Sequence, residues 1–551
     1  MKALFRLALI SVVVNEVLVY AAPFSCKTVP PEPAYVRAEG MTELLGELSF
    51  HCDGDVPAEG IIADVELYAN TNIIVPKQSE PLLLAGDGSG GWQAGIDIFT
   101  GKFTPPNRLT WERVPLAPPG HRGLRRFRLM NLRMNASRIG PPVGLVLGQI
   151  HGFLQIGGVA VKSPQRLIAV LTRPLTVQVS ACQGTTPTIH NGAAPLNAGL
   201  LYRSKVPGSL HQIVRFVEGF EGAFKPATAD SKVRQMFAES AAETVQISGV
   251  SAAATVSGTR LQVLFQNVPA GVSIFITTEP TLPGFGTSNS IDAKLISFEL
   301  NGSGTGPEIG HTARAGCSGP SLGVVAVPLE KGAGSAAWEI TAADAAVLEE
   351  VSFGVAVTFE VNPKQNLPGL GTAVVSAGYG PLSSLSMQSG DGPVPRFAHV
   401  QTFKNFFMIE RPLSRLLFPV VSNQAGSDTV LNIHNNSEGW SGPCTLTFSP
   451  AEPVTTSTPV RTEPVMQGAA VRVTLSSVVL NYQGCVLAEC AFPRAGGDYR
   501  VYPMSGGADW LAGRALDAAT PSAAELKAAA DASYGLALTC AFLPGNAAPR
   551  K

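Results

Sequence analysis

The chain has 551 residues, of which 45% are hydrophobic and only 15% charged, with 57 glycines and 43 prolines. That is too long for one hydrophobic core and implies about three or four domains, and low charge with many turn formers favours short strands over long surface helices. Lys and Arg number 40 against 41 Asp and Glu, a net charge of −1, so no global field recruits nucleic acid or an anionic membrane.

Lys2 and Arg6 precede an apolar run at 7–14, and a second apolar stretch at 17–22 ends in small residues. This is the layout of a secretory signal peptide cleaved after Ala21 or Ala22. Asn15 and Glu16 interrupt the run, which denies it the roughly 18 apolar residues of a membrane anchor. A lipoprotein would use Cys26, but Pro23, Phe24 and Ser25 are not the aliphatic and small residues such a site carries. Export is expected, with 1–22 removed and no membrane span in the mature chain. The eight cysteines, an even number, agree with an oxidising compartment. Cys26 and Cys52 flank the first predicted strand and form one expected pair.

Residues 23–183 are expected to form an N-terminal β-sandwich. Alternating or apolar runs at 43–52, 61–74, 109–114, 125–134, 144–156 and 166–181 read as strands, with a glycine-rich loop at 86–91 and Pro-Gly punctuation between them. In the 125–134 run the apolar face switches from Phe127 and Leu129 to Leu132 and Met134, which one extra residue, a β-bulge, would reconcile. Arg122, Arg125, Arg126 and Arg128 make one basic cluster, read as a solvated strand edge that discourages edge-to-edge pairing; a polyanion is the other reading. A Thr/Pro/Asn/Gly-rich stretch at 183–196 reads as a linker.

Residues 184–400 are expected to form a middle β-rich domain. Phe216, Phe220 and Phe224 have helical spacing, but Gly219 and Gly222 would each cost a helix about 1 kcal/mol, so the segment reads as irregular and anchored by its aromatics. Strands are expected at 243–247, 251–256, 293–300 and 353–361. Residues 260–277 read as a hairpin, with Leu261, Val263 and Phe265 facing Val272, Ile274 and Ile276 across the loop 267–271. A mobile loop is expected at 302–319, and Thr341 is a suitable N-cap for a short helix to Glu350.

Residues 401–551 are expected to form a C-terminal β-sandwich module. Thr429, Leu431 and Ile433 alternate with Val430, Asn432 and His434; Cys444, Leu446 and Phe448 share one face, as do Val486, Ala488, Cys490 and Phe492. Cys444 and Cys490 thus fall on apolar faces that two sheets would bring together as an inter-sheet disulfide. Cys182, Cys317, Cys485 and Cys540 remain, with three connectivities open. Ser522 and Glu525 have capping-box spacing after Pro521, for a helix to about Ala532, and 534–543 reads as a last strand.

The pattern Phe418, Pro419, Val421, Asn423, Ala425, Gly426, Asp428, Thr429, Ile433, Asn435 and Ser437 continues with Gly442, Cys444, Thr445 and Leu446, then with Tyr482, Gln483, Gly484, Ala488, Cys490 and Phe492. It resembles a C-terminal module of large, secreted, uncharacterised bacterial proteins, and the stretches at 214–226 and 336–355 resemble the same type of protein. The resemblance implies a secreted multi-domain β-sandwich architecture and brings no activity, ligand or catalytic residue with it. Cys485 stands where such relatives carry an aromatic or aliphatic residue.

Gly319, Ser321 and Gly323 match G-x-S-x-G, but a strand-like run follows where a nucleophile elbow needs a helix, so Ser321 reads as a turn residue. His51, His121, His151, His190, His211, His311, His399 and His434 lack the spacing of a helical metal site. Cys485 and Cys490, the closest cysteines, have no neighbouring His, so neither metal nor cofactor is expected. Glu218 and Glu221 among the three Phe residues suggest a carboxylate pair, yet nothing holds sequence neighbours on a loop at the separation glycoside hydrolysis needs. Of Trp92, Trp111, Trp338, Trp440 and Trp510, Trp92, Trp440 and Trp510 lie in Gly-rich turns where sugar stacking has a place, although core or hairpin-cover packing is the favoured reading for any one of them.

The expected fold is therefore all-β, several antiparallel immunoglobulin-like β-sandwiches in tandem with one or two short helices. The expected role is a secreted or cell-surface, adhesion-like binding protein whose partner is an extracellular glycan or surface protein, not nucleic acid. A secreted hydrolase of polysaccharide or ester is the alternative from another class. An outer-membrane barrel fits poorly with the proline density and irregular loops.

Overall fold

The computed structural model describes residues 23–517, save for 77–79, 87–92, 94, 122, 141–146, 173–174, 183–187, 190–193, 198–206, 228–256, 282–290, 305–306, 318–320, 360–369, 384–393, 399–401, 411–412, 425, 438–439, 451–457 and 504–510. The signal-like N-terminus, the C-terminal helix and strand with Cys540, the strands expected at 243–256, and Arg122, Trp92, Trp510, His190 and His399 lie outside the described residues. The fold is all-β. No described residue lies in an α-helix, and two single 3-10 turns, Ala136–Arg138 and Leu475–Ser477, are the helical elements among them.

Three pairs of sheets follow one another along the chain. In the first, one sheet orders its strands Ala160–Lys162, Ser25–Thr28, Leu48–Asp53, Arg125–Met130, Leu82–Ala85 and Ile98–Thr100. Its partner runs Ala34–Val36, Gln165–Leu171, Gln149–Ile156, Ile61–Ala69, Arg108–Ala117 and Lys102–Thr104. Between them Trp111, Phe127, Leu67 and Leu154 are fully buried, and Phe50 stacks on Phe127 at 4.7 Å. Each such side chain contributes about 1.5–3 kcal/mol by leaving water.

The second pair centres on Gln212–Val217, Glu350–Phe359 and Val272–Thr277 in one sheet and on Lys404–Glu410, Gly371–Gly380, Arg260–Gln266 and Gly334–Ala342 in the other. Trp338 stacks on Phe353 at 3.9 Å and donates its indole N–H to Thr277 O at 2.9 Å, so the largest core side chain has its polar atom satisfied. The third pair sets Cys444–Pro450, Gln483–Cys490 and Ser414–Ser422 against Ala470–Thr474, Ser427–Asn435 and Ala495–Pro503. Val486, Ala488, Cys490 and Phe492 all sit on its buried face, and its core is contiguous with that of the second pair.

Several sequence expectations are corrected by the register. The 125–134 run holds no bulge: Asn131 takes a left-handed φ of 57°, ending Arg125–Met130. Arg133–Met134 then pairs with Glu43–Leu44 and Ile73–Ile74 in a separate small sheet. The switch of apolar face marks a change of sheet, made at a residue type that tolerates the left-handed region. The run 166–181 likewise divides into Gln165–Leu171 in the first pair of sheets and Thr176–Ala181 in the second.

Residues 260–277 do not form a hairpin. Arg260–Gln266 pairs with Gly334–Ala342 and Gly371–Gly380, whereas Val272–Thr277 pairs with Leu322–Ala326 and Glu350–Phe359 in the facing sheet. The loop, with left-handed Asn267 and Gly271, carries the chain over the core. Leu261, Val263 and Phe265 therefore meet Val272, Ile274 and Ile276 through the sandwich interior, and alternation alone does not distinguish that from a hairpin. The helix expected after Thr341 is replaced by strand Gly334–Ala342 and a turn in which Asp344 Oδ1 accepts from the Ala346 N–H at 2.9 Å. The 302–319 stretch contains a strand, Ala313–Ala315, paired with Leu322–Ala326.

Candidate functional site: the junction of the first two sandwiches

The segment following strand Ala34–Val36 leaves the first sandwich and enters the second. Arg37 continues an apolar alternation with a charge, yet it is only 1% exposed. Its Nε and Nη2 donate to Glu43 Oε1 at 2.9 and 2.8 Å, and its backbone N–H donates to Glu43 Oε2 at 3.2 Å. Nη1 crosses into the second sandwich, donating to Thr259 Oγ1 at 2.7 Å and Ala223 O at 3.2 Å. The guanidinium lies 4.7 Å from the Phe397 ring centre and 5.4 Å from that of Tyr379. Five N–H donors and a flat face make arginine suited to a site that offers both carboxylate and aromatic rings.

The turn that returns Glu43 to Arg37 requires glycine at position 40, because a Cβ there would lie 2.2 Å from Glu43 Oε1. Backbone bonds seal the contact: Ala398 N–H to Glu39 O at 2.8 Å and Met41 N–H to Arg396 O at 2.9 Å. The Arg396 N–H donates to Thr42 Oγ1 at 3.1 Å, while Arg133 Nη1 donates to Thr42 O at 3.0 Å. Burial alone would push the Glu43 carboxyl up, but Arg37 and Lys225 more than offset it and hold the group below the usual carboxylate range. Lys225 is itself 2% exposed, with its N–H on Thr259 Oγ1 at 3.0 Å.

Beside this junction a cavity of about 330 Å³ opens between the two sheets of the second sandwich. Leu175, Val177 and Val179 form one wall, Val375 and Tyr379 face them, and Glu39, Phe397 and Lys404 border it. Burial raises the Glu39 carboxyl above its ordinary value, partly countered by hydrogen bonds from its own N–H and that of Leu175. Burial also raises the Tyr379 hydroxyl well above the ordinary tyrosine range, so it stays a neutral phenol. The arrangement supports binding of an apolar group with polar recognition at one end.

Residues singled out by sequence are placed elsewhere. Cys26 and Cys52 are directly opposite on neighbouring strands and joined by a disulfide. Cys444 and Cys490 are also joined, but across neighbouring strands of one sheet, so the expected inter-sheet bond is corrected to an intra-sheet one. Both lie on a buried face because strand partners, not facing sheets, bring their Cα atoms to 3.9 Å. Cys182 is bonded to Cys317, and no described cysteine is free.

Glu221 is exposed while Glu218 is buried, so these two do not form a pair; the carboxylate beside Glu218 is Glu349. Ser321 is exposed, its carbonyl accepts from Arg314 at 3.0 Å, and strand Leu322–Ala326 follows it. Trp440, considered for sugar stacking, is 3% exposed and packed in the core of the third sandwich. Trp111 and Trp338 are core residues. The arginine cluster is spread over separate contacts, Arg125 to Asp97 and Arg128 to Glu47, with Arg126 exposed. His211 Nδ1 accepts from the Val357 N–H at 3.0 Å, and His434 pairs with Asp498 at 3.1 Å. Among the described residues no group of three or more His, Cys, Asp or Glu is placed to hold a metal ion, and no helix is long and apolar enough to cross a membrane.

Sequence reasoning missed Arg37, Glu39, Glu43 and Lys225. The one local signal is a charged residue continuing the Ala34–Val36 alternation, six residues before a carboxylate on the far side of a glycine.

What the fold defines is a tandem β-sandwich protein. No family model matches the chain, and no curated protein matches it. Among solved structures it is similar to the CupB6 tip adhesin from Pseudomonas aeruginosa, at 8% identity and a TM-score of 0.17, over 71% of this chain and 99% of that one. It is also similar to the RrgB pilus backbone from Streptococcus pneumoniae, at 8% identity and 0.17, over 90% and 93%. A full-length structure of that pilus protein gives 7% identity and 0.16, over 90% of this chain and 67% of that one.

Proposed function

We propose that this is an exported, cell-surface structural and binding protein of an adhesion-like kind, which presents a surface to an extracellular glycan or surface protein. The observation that carries the reading is the junction: two disulfide-stapled sandwiches are joined by a fully buried Arg37–Glu43 pair and flanking backbone bonds. Removing such a pair's water is costly unless its geometry is fixed, and a fixed junction suits a chain that holds its domains in one orientation. Disulfides in each sandwich fit a compartment that keeps thiols oxidised.

In this reading residues 1–22 are removed on export, and three domains follow, near 23–183, 184–400 and 401–551. The sheet pairings support exchanges between Leu171 and Thr176 and between Glu410 and Ser414. The test is peptide mass spectrometry on unreduced culture fractions. A mature N-terminus near Ala22 in the surface or medium fraction, with Cys26–Cys52, Cys182–Cys317 and Cys444–Cys490 among the linked peptides, is the expected result; an intact N-terminus with free thiols in the cytoplasm overturns it. Glycan and surface-protein arrays with the exported form then identify the partner.

A further inference from the structure

We infer that the cavity between Thr176–Ala181 and Gly371–Gly380 is a binding site for a small apolar molecule bearing one primary amine, with Glu39 as the recognition residue. This goes beyond the surface role proposed above, since it concerns a small ligand inside the second sandwich.

The walls decide the body of the ligand. Leu175, Val177, Val179, Val375 and Phe397 offer hydrocarbon over a volume of about 330 Å³, within the range of small-molecule pockets. The polar atoms decide its head. Glu39 Oε2 is a buried acceptor with no hydrogen-bond partner among the described residues, and Glu39 lines the cavity. A buried acceptor left without a donor is destabilising, more so when charged, so a ligand that supplies N–H groups recovers that cost.

The charge balance favours an ammonium over a hydroxyl. Arg37, the nearest cation on the same segment, is committed to Glu43, Thr259 and Ala223, which leaves Glu39 without an ion partner among the described residues. Lys404 stands exposed at the rim and donates to Val177 O at 2.8 Å, closing one edge. A charge-assisted N–H bond to Glu39 is about twice as strong as a neutral one.

The test is titration of the full-length chain near neutral pH with n-hexylamine, hexan-1-ol and hexanoate, followed by calorimetry. The expected result is saturable binding with hexylamine at least about tenfold tighter than the alcohol, loss of that preference in Glu39→Gln, and loss of both ligands in Val177→Phe, which fills the wall. Equal affinity for amine and alcohol, tighter binding of hexanoate, or no saturable binding to a chain with an intact near-UV dichroism spectrum overturns the assignment; a cavity filled by another part of the chain gives the last of these. Should Glu39→Gln fail to fold, the amine-to-alcohol ratio in the unaltered chain still decides.

Discussion

Glu218 and Glu349 bind each other twice: the Glu218 N–H donates to Glu349 O at 3.1 Å, and the Glu349 N–H donates to Glu218 Oε2 at 2.8 Å. Both side chains are buried, and Glu218 Oε1 also accepts from the Phe224 N–H at 2.6 Å. Burial dominates the balance and, with repulsion from Glu349, pushes the Glu218 carboxyl from 4.5 up to about 8 against the lowering effect of those backbone donors.

The folded chain therefore holds this proton more tightly than the unfolded one, so the Glu218 contribution is fully present below pH 4.5 and is lost as pH rises to about 8. Urea midpoints measured from pH 4.5 to 8.5 should show a decline worth on the order of a few kcal/mol assignable to this group. Glu218→Gln should remove that part of the slope while costing about 1–2 kcal/mol at acidic pH, because an amide nitrogen cannot accept the bond that one carboxylate oxygen accepts. An unchanged slope in the variant would dismiss the assignment.

At the junction, Arg37→Met leaves Glu43 buried without its main partner and should cost about 3–5 kcal/mol, whereas Arg37→Met with Glu43→Leu should cost distinctly less, since the stranded charge is gone. Calorimetric scans check this. The single variant is also expected to separate the unfolding of the first sandwich from the rest, while the unaltered chain unfolds those two together.

The class of fold was legible because alternation reports burial directly: Val486, Ala488, Cys490 and Phe492 read as one face and form one. What alternation does not encode is which strand is the partner. Arg260–Gln266 and Val272–Thr277 show the right faces in the wrong relation, and Cys444 and Cys490 lie on apolar faces whether bonded within a sheet or between sheets. The junction was invisible for a different reason. Arg37, Thr259 and Phe397 meet only through tertiary placement across 222 residues between the first two, and no local pattern marks a charge that will be buried. Trp440 lies in a glycine-rich turn that would suit sugar stacking, but the turn folds its indole inward, which is the packing role the sequence favours.

Trp338 gives a sharper check on the second sandwich. Trp338→Phe keeps much of the stacking on Phe353 but leaves Thr277 O without its indole donor, and should cost about 1–3 kcal/mol. Trp338→Ala, which also opens a cavity, should cost about 3–5 kcal/mol. Denaturant midpoints followed by far-UV dichroism distinguish the two.

Three disulfides between described residues close loops of very different size, with sequence separations of 26, 46 and 135 for Cys26–Cys52, Cys444–Cys490 and Cys182–Cys317. If each acts mainly by restricting the unfolded chain, replacing both cysteines by alanine should cost about 3.5, 4 and 5 kcal/mol in that order. The order is the stronger expectation, because loop entropy grows only with the logarithm of length while local packing differs between sites. Cys26, Cys52, Cys444 and Cys490 are all 0–1% exposed, whereas Cys182 and Cys317 are half-buried, so cavity costs would work against the order and raise the first two pairs. Chemical denaturation of the three double variants, compared with the unaltered chain, therefore separates the two effects. Cys182→Ala with Cys317→Ala as the most costly variant indicates control by the unfolded state, and as the least costly it indicates control by packing on the buried sheet faces.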